Sequence, residues 1–326
     1  LGNEYYRLTE YGENGNIKRK IYTSKSGSTL NGECFFYNNN GTIRQYTNYD
    51  KGIKNGIEKI YDENGNILYT TLFKNGAIDF VYEKDTDKPY TGKRVSYSIY
   101  DYSKEASSGK IENGIPVGTY KEPNLKVEYV NGKKNGNQIT VPDKGQTIKT
   151  PYTNGYKEGL EVRYFNRFHK KIYTAEYKND KKNGTETFYY TQTQNYFSKL
   201  IKATYTYVDG TKEGEYVSYH ETKVGFPFFK KQPKYEVGMY KNNKKEGVFN
   251  TYDEKGRLAL SIPYENDRKN GTEIAYDKNG KVVSTKEYKK GILNGKSTSF
   301  DKNGKVTKEE IYINGNLNGI PEDLEF

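Results

Sequence analysis

Glycine at fixed offsets from aromatic rings is the feature that most constrains this chain. Gly32 and Gly56, and later Gly247, Gly271, Gly295 and Gly319, follow one another at intervals of 24 residues. Less regular copies stand at Gly92, Gly118, Gly136, Gly159, Gly184 and Gly214. Five residues after a glycine comes a ring, as Tyr37, Tyr61, Tyr97, Tyr164, Tyr189, Tyr219, Tyr252, Tyr276 or Phe300; the units opening at Gly118 and Gly136 carry Pro123 and Val141 there. Seven residues before the next glycine stands Tyr49, Tyr129, Tyr152, Tyr177, Tyr207, Tyr240, Tyr264, Tyr288 or Tyr312. A period of about 20–50 residues means an array of small units that lean on their neighbours, not one globule.

The hydrophobic share of 33% and mean hydropathy of -1.06 would by themselves suggest disorder. Against that stand 35 tyrosines and 14 phenylalanines, with no tryptophan. Tyrosine joins a large apolar ring to a polar tip, which suits a thin sheet with water near both faces. The reading is an ordered but core-poor fold. The single cysteine, Cys34, excludes an intrachain disulfide and does not decide the compartment. No run approaches the roughly 18 apolar residues of a membrane span, and no leader is recognisable. The chain opens at Leu1 without methionine, so removal of a targeting segment and simple trimming both fit. Localisation is open, with export to the cell surface or periplasm slightly ahead of the cytoplasm. The net charge of +11 comes from 53 basic and 42 acidic residues, and only eight of the basic ones are arginine. Evenly spread lysine solvates a surface and protects edges; clustered arginine would have spoken for phosphate recognition.

The unit from Gly271 to Gly295 shows how one repeat should fold. Thr272–Tyr276 is β-branched and aromatic, Asp277-Lys278-Asn279-Gly280 is a turn, and Val282–Tyr288 is the returning strand. Lys290-Gly291 and Asn294-Gly295 make the next reversal. Asn14-Gly15, Asn40-Gly41, Asn64-Gly65, Lys255-Gly256 and Asn303-Gly304 occupy the equivalent first turn. No segment keeps a helical period. The fold class is therefore all-β: an elongated single-layer antiparallel β-meander of about twelve β-hairpin repeats of ~24 residues. At about 4.8 Å between strands it should run on the order of 100 Å along its hydrogen-bonding direction and be about 17–20 Å wide. Rings at the fifth position are expected to stack into a ladder. The organisation reads as residues 1–31, a cap and first repeat; 32–118, repeats with an irregular stretch at 79–117; 119–246, repeats of variable length; 247–319, regular repeats; and 320–326, a C-terminal cap.

The pattern G-x-x-x-x-Y-D-x-N-G-x-[IVL] … Y-x-[NK]-G-x-x-[NE]-G resembles the bacterial variant of the MORN repeat, of the antitoxin-like type. It matches well across residues 32–75 and 247–319, with Gly32, Gly56, Gly247, Gly271, Gly295, Gly319, Tyr61, Tyr252, Tyr276, Tyr264, Tyr288 and Tyr312 as its landmarks. The resemblance implies a non-catalytic binding scaffold. It brings in links to membrane lipids, protein assembly and toxin neutralisation.

Catalytic and metal readings fail on spacing. His169 and His220 with one distant cysteine do not make a zinc site, and neither has HExxH spacing. The serines lack a strand–turn–helix elbow, and the glycine turns lack the spacing and following helix of a phosphate cradle. Segments such as Asp62-Glu63-Asn64-Gly65-Asn66 and Asp301-Lys302-Asn303-Gly304 look like calcium loops, but lysine interrupts the ligand positions and no bidentate acid follows. They read as hairpin turns. Neither enzyme activity, nor a cofactor, nor a metal, nor a small-molecule substrate is expected.

The departures from the period say more. Gly159 to Gly184 is 25 residues, Gly184 to Gly214 is 30, and Gly214 to Gly247 is 33. The extra residues lengthen the first turn of each hairpin, so residues 165–170, 190–198 and 220–233 should project from one sheet edge. They carry Phe165, Phe168, Tyr196, Phe197, Phe226, Phe228, Phe229, Lys230 and Lys231. Interleaved rings and lysines read either as a partner-binding patch or as hairpins packing on one another. The first functional reading is a repeat scaffold for a protein partner, working as a monomer or an edge-to-edge dimer. The alternatives are antitoxin or immunity-type inhibition of a neighbouring toxin, and attachment to an anionic lipid, cell-wall polymer or nucleic acid.

Overall fold

The computed structural model describes residues 5–24, 29–97, 105–122, 124–142, 145–165, 170–191, 200–221 and 232–318. Among these there is no helix; strands follow one another in chain order, each antiparallel to the last. A first sheet of seven strands runs from Tyr5–Tyr11 to Ala77–Glu83, and a second begins at Gly92–Tyr97. Short pieces such as Lys133–Lys134 and Gly136–Thr140 share one neighbour, Leu125–Val130, and so continue one strand line across the glycine. The meander as a whole is not closed into a barrel. The chain divides into two compact units: residues 1–141 with 151–156, and residues 142–150 with 157–326.

Within a repeat the two turns differ. In the first, the Gly65 amide reaches the Asp62 carbonyl at 3.1 Å, and only Gly65 of the Asn-Gly pair has positive φ (85°). It is thus a type I turn closed by a left-handed glycine, not the primed turn that Asn-Gly suggests. The Asp62 carboxylate accepts the Asn64 and Asn66 amides at 3.0 and 2.8 Å, and Asp253, Asp277 and Asp301 repeat the device. Those carboxylates are capping turns, which accounts for the calcium-like pattern. The second turn is the primed one: Asn75 and Gly76 have φ of 49° and 81°.

This second turn ties each hairpin to the one before it. Its second amide donates to the carbonyl two residues ahead of the previous repeat glycine. In the first unit these are Gly52 to Leu30, Gly76 to Lys54 and Gly155 to Lys134; in the second, Gly210 to Lys182, Asp267 to Lys245 and Gly291 to Lys269, all at 2.7 to 3.1 Å. The first turn amide goes to the side chain just ahead of that glycine. Asn75 donates to Asn55, Asn179 to Glu158, Asn242 to Glu213 and Lys290 to Asn270, at 2.9 to 3.2 Å. The repeat glycine sits between these acceptors and the strand with positive φ. At Gly184 a Cβ would collide with the Glu176 carboxylate, which accepts the Thr185 amide at 2.9 Å.

In the first unit one face is sealed, contrary to the expectation of water near both. Ile60, Tyr69, Phe73, Ile78 and Val81 of the first sheet form a cluster with Ile111, Tyr120, Val127 and Tyr129 of the second. The irregular stretch is where one sheet ends and the next starts. Tyr90 donates its amide to Val81 and accepts the Gly114 amide. The Tyr69 hydroxyl accepts the Val95 amide at 2.7 Å, and the Tyr90 hydroxyl donates to the Lys93 carbonyl at 3.0 Å. Tyrosine side chains thereby satisfy the edge of strand Gly92–Tyr97.

An ion pair lies inside this core. The Arg94 guanidinium and the Glu58 carboxylate are both fully buried and bonded to each other. Arg94 also donates to Thr71 at 3.0 Å and to the Tyr120 hydroxyl. Glu58 further accepts Lys54, Gln45 and Thr47. Burial pushes the Glu58 carboxyl up, but Lys54 and Arg94 outweigh it and hold it below the usual range. Removing one partner of such a pair strands the other, so Arg94→Ala should cost about 3–5 kcal/mol. Guanidinium unfolding followed by circular dichroism checks this; a loss under about 1 kcal/mol would show that Arg94 is not what neutralises Glu58.

Candidate functional site

The second unit carries the bases of the lengthened hairpins. Alternate turns of a meander fall on opposite edges, so the first turns all leave from one side. Phe165 pairs with Lys170 at the base of the first long hairpin. The Tyr190 amide meets Leu200 at the second, and the His220 amide meets Pro233 at the third, both at 3.0 Å. The second and third bases are cross-tied. The Gln232 side-chain amide accepts the Ile201 amide at 3.0 Å and donates to the Ile201 and His220 carbonyls at 2.7 and 2.9 Å. The Tyr190 hydroxyl donates to Tyr219, and the His220 ring nitrogen Nε2 meets the Tyr252 carbonyl at 2.8 Å. Among the binding residues read from the sequence, Phe165 closes strand Gly159–Phe165 and is 37% exposed. Phe168, Tyr196, Phe197, Phe226, Phe228, Phe229, Lys230 and Lys231 lie outside the described residues.

From this edge a ladder of rings and charges runs along one face of the sheet. Ring contacts lead from Tyr173 to Phe188 (5.2 Å), Tyr205 (6.2 Å), Tyr216 (4.8 Å), Phe249 (6.1 Å) and Tyr264 (5.2 Å). The fifth-position rings take no part in it; Tyr189, Tyr219, Tyr252 and Tyr276 sit at the register shift or strand end just before the turn. Of the tyrosines seven before a glycine, Tyr264 ends this ladder and Tyr240 joins it through Tyr205, Tyr216 and Phe249. Each such tyrosine pairs opposite the preceding glycine, as in Gly247 with Tyr264, Gly271 with Tyr288 and Gly295 with Tyr312. Over these rings lie lysines two residues ahead of the glycine: Lys157 on Tyr177 and Lys182 on Tyr207 at 5.0 Å, Lys212 on Tyr240 at 5.2 Å, and Lys269 on Tyr288 at 4.6 Å.

The same lysines pair with a glutamate four residues on, across the glycine bulge: Lys157 with Glu161, Lys182 with Glu186, Lys269 with Glu273. Lys54 and Glu58 do so in the first unit. The sequence signal is K-x-G-x-E, which the glycine and tyrosine spacing does not contain. Glu186, only 3% exposed, accepts Lys182 and the Tyr173 hydroxyl, the latter at 2.7 Å. Burial alone pushes its carboxyl up, yet the hydrogen bonds from Lys182, Tyr173 and Tyr207 leave it below the usual range. The hydroxyls respond in the opposite sense. Burial, then bonding to Glu186, pushes Tyr173 and Tyr207 well above ordinary tyrosine, and burial foremost pushes Tyr216 and Tyr240 up to about 12. These hydroxyls are fixed donors at neutral pH, not acids or bases.

Where the ladder meets the long hairpins there is an open cleft of about 760 Å³. Arg163, Tyr173, Lys182, Glu186 and Phe188 line it from the ladder; Tyr189, Tyr190, Lys202 and Glu221 line it from the hairpin bases. Arg163 stacks on Tyr173 at 4.3 Å while binding Glu161 through Nε and Nη2. Its cations are largely engaged already. Among the described residues no group of His, Cys, Asp and Glu is arranged to hold a metal. Cys34, in the first unit, is buried, and burial raises its thiol to about 11.

The profile of the MORN repeat variant matches residues 30–51, 54–75, 269–290 and 293–314. Each match starts two residues ahead of a repeat glycine and ends in the following second turn, so it contains one hairpin with its tie to the next. No protein of curated function matches the chain. Among solved structures, BamB from Moraxella catarrhalis is 12% identical, covering 87% of this chain and 98% of its own, with a TM-score of 0.18. The C-terminal WD40 domain of Sif2 is 11% identical over 87% and 86%, with a TM-score of 0.17. Apo AztD from Citrobacter koseri is 12% identical over 95% and 87%, at 0.16. Superpositions this loose carry no argument about fold or function.

Glu186 makes the second unit acid-sensitive with a definite sign. Its folded pKa lies below the ordinary value of 4.5, so its contribution is complete above that pH and lost as pH falls through the lower folded value. Glu186→Gln should flatten the acid limb of the melting temperature against pH. Parallel acid limbs in the two proteins would rule the pairing out as a stabilising contact.

Proposed function

Taking as premise that the chain carries four repeats of the MORN variant type, we propose that it is a non-catalytic scaffold holding a protein partner at the long-hairpin edge of the second unit. MORN repeats are commonly protein- or lipid-binding scaffolds. The observation that carries the choice of edge is the cross-tying of consecutive hairpin bases through Gln232, Tyr190 and His220. The bases of the second and third lengthened hairpins are thereby bonded to each other. Between the His220 and Gln232 bases the sequence carries Phe226, Phe228, Phe229, Lys230 and Lys231, the residue types of interface anchors. Repetition of a rigid unit suits a partner met through many contacts.

The charge arrangement speaks for protein over a phosphate surface. The lysines of the ladder are engaged by glutamates and rings, so the excess of +11 does not concentrate on this face. An anionic surface would have to compete with those pairs.

A photo-crosslinking amino acid at position 226 or 228 should give a discrete protein adduct in the source cells, whereas one at the exposed Val283 of the regular repeats should not. The triple change of Phe226, Phe228 and Phe229 to alanine should abolish the adduct formed from a probe at Phe165 and leave the β-sheet circular dichroism as it was. Adducts that persist in the triple variant, or that form equally from Val283, would place the partner elsewhere.

A further inference from the structure

We infer that the cleft at the foot of the long hairpins binds a neutral oligosaccharide. This goes beyond partner capture and stands on different observations. The volume of about 760 Å³ falls in the range of ligand pockets, roughly 300–1,000 Å³. Rings and polar groups alternate around it. Phe188 is 36% exposed, and Tyr189 and Tyr190 are half-exposed beside it. Gln146, Lys202 and Glu221 supply an amide, a donor and an acceptor, the last two exposed.

The charges decide between ligand classes. An anion would find Lys182 already bonded to Glu186 and Arg163 already bonded to Glu161, with Glu221 opposing it. A cation would meet Arg163, Lys182 and Lys202 together. A purely apolar ligand would strip water from Lys202, Glu221 and Gln146 and return no hydrogen bond, which costs about 1–3 kcal/mol for each buried group. A sugar meets none of these objections. Its hydroxyls both donate and accept, matching the acceptor Glu221 and the donor Lys202. The C–H faces of its rings lie against aromatic side chains whose π surfaces attract them. Among the described residues Lys202 makes no ion pair, while Glu221 acts on Tyr190 and Lys170. The cleft is therefore charge-balanced yet rich in hydrogen-bonding groups.

Calorimetric titration of the full chain with maltotetraose, cellotetraose and chitotetraose tests this, with dextran sulfate as the anionic comparison. At least one neutral tetrasaccharide should bind saturably, and Phe188→Ala should weaken it about tenfold or more. Because Phe188 belongs to the ring ladder, the double variant Lys202→Ala with Glu221→Ala provides the second reading: the same loss of binding with an unchanged melting curve. Absence of binding by all three sugars, tighter binding of dextran sulfate, or wild-type affinity in the double variant would each overturn the inference. Partner capture by crosslinking at position 226 is read separately, so failure of one leaves the other standing.

Discussion

Each hairpin depends on the hydrogen bonds between its second turn and the start of the hairpin before it. A primed two-residue turn leaves two backbone amides pointing away from its own strands, and buried or not they need acceptors. The chain supplies them at one place, the carbonyl and side chain just ahead of the preceding glycine. Both ends of this tie lie on the second-turn edge. The opposite edge is consequently free to vary: the hairpins that grow to 30 and 33 residues between glycines keep the bonds from Gly210 to Lys182 and from Asn243 to Lys212. Long hairpins are tolerated because they lengthen the edge away from these second-turn ties.

The interior that results is more polar than a sheet packed with aliphatics. Lysine, glutamate and tyrosine alternate along it, and Glu58, Glu161, Glu186 and Glu273 each answer to a lysine four residues earlier. Such pairs do not add much stability on their own. They do penalise slippage, since a shift of one residue turns every side chain to the other face and would separate Lys182 from Glu186 and from the Tyr207 ring. In the first unit the same arrangement is sealed under Arg94, which occupies the place after Gly92 that Glu58 holds after Gly56. In the second it opens at one end into a cleft. One motif serves as a core in one setting and as the wall of a cleft in the other.

This division of labour gives the functional reading its shape. A surface meant for ligands is cheapest where the fold asks least of the side chains, and that is the lengthened edge of the second unit. The ladder behind it holds Tyr173, Phe188 and Glu186 in fixed geometry, so groups facing the cleft are set before anything arrives, which lowers the entropy cost of association.

The amino-acid sequence by itself determined the class of structure: glycine spacing, turn residues and β-branched segments prescribe consecutive antiparallel hairpins, because those signals act over a few residues. It also marked which hairpins are long. Which tyrosines meet did not follow from it. The fifth-position rings looked like the ladder because they recur most regularly, yet a register shift or strand end turns them aside, and Tyr173, Phe188, Tyr205, Tyr216, Phe249 and Tyr264 stack instead. The burial of Arg94 on Glu58, 36 residues apart, and the cleft at the hairpin bases were settled only in three dimensions. Local rules set φ and ψ one turn at a time, whereas the partner of a charge or a ring is chosen by register and packing between strands distant in the chain.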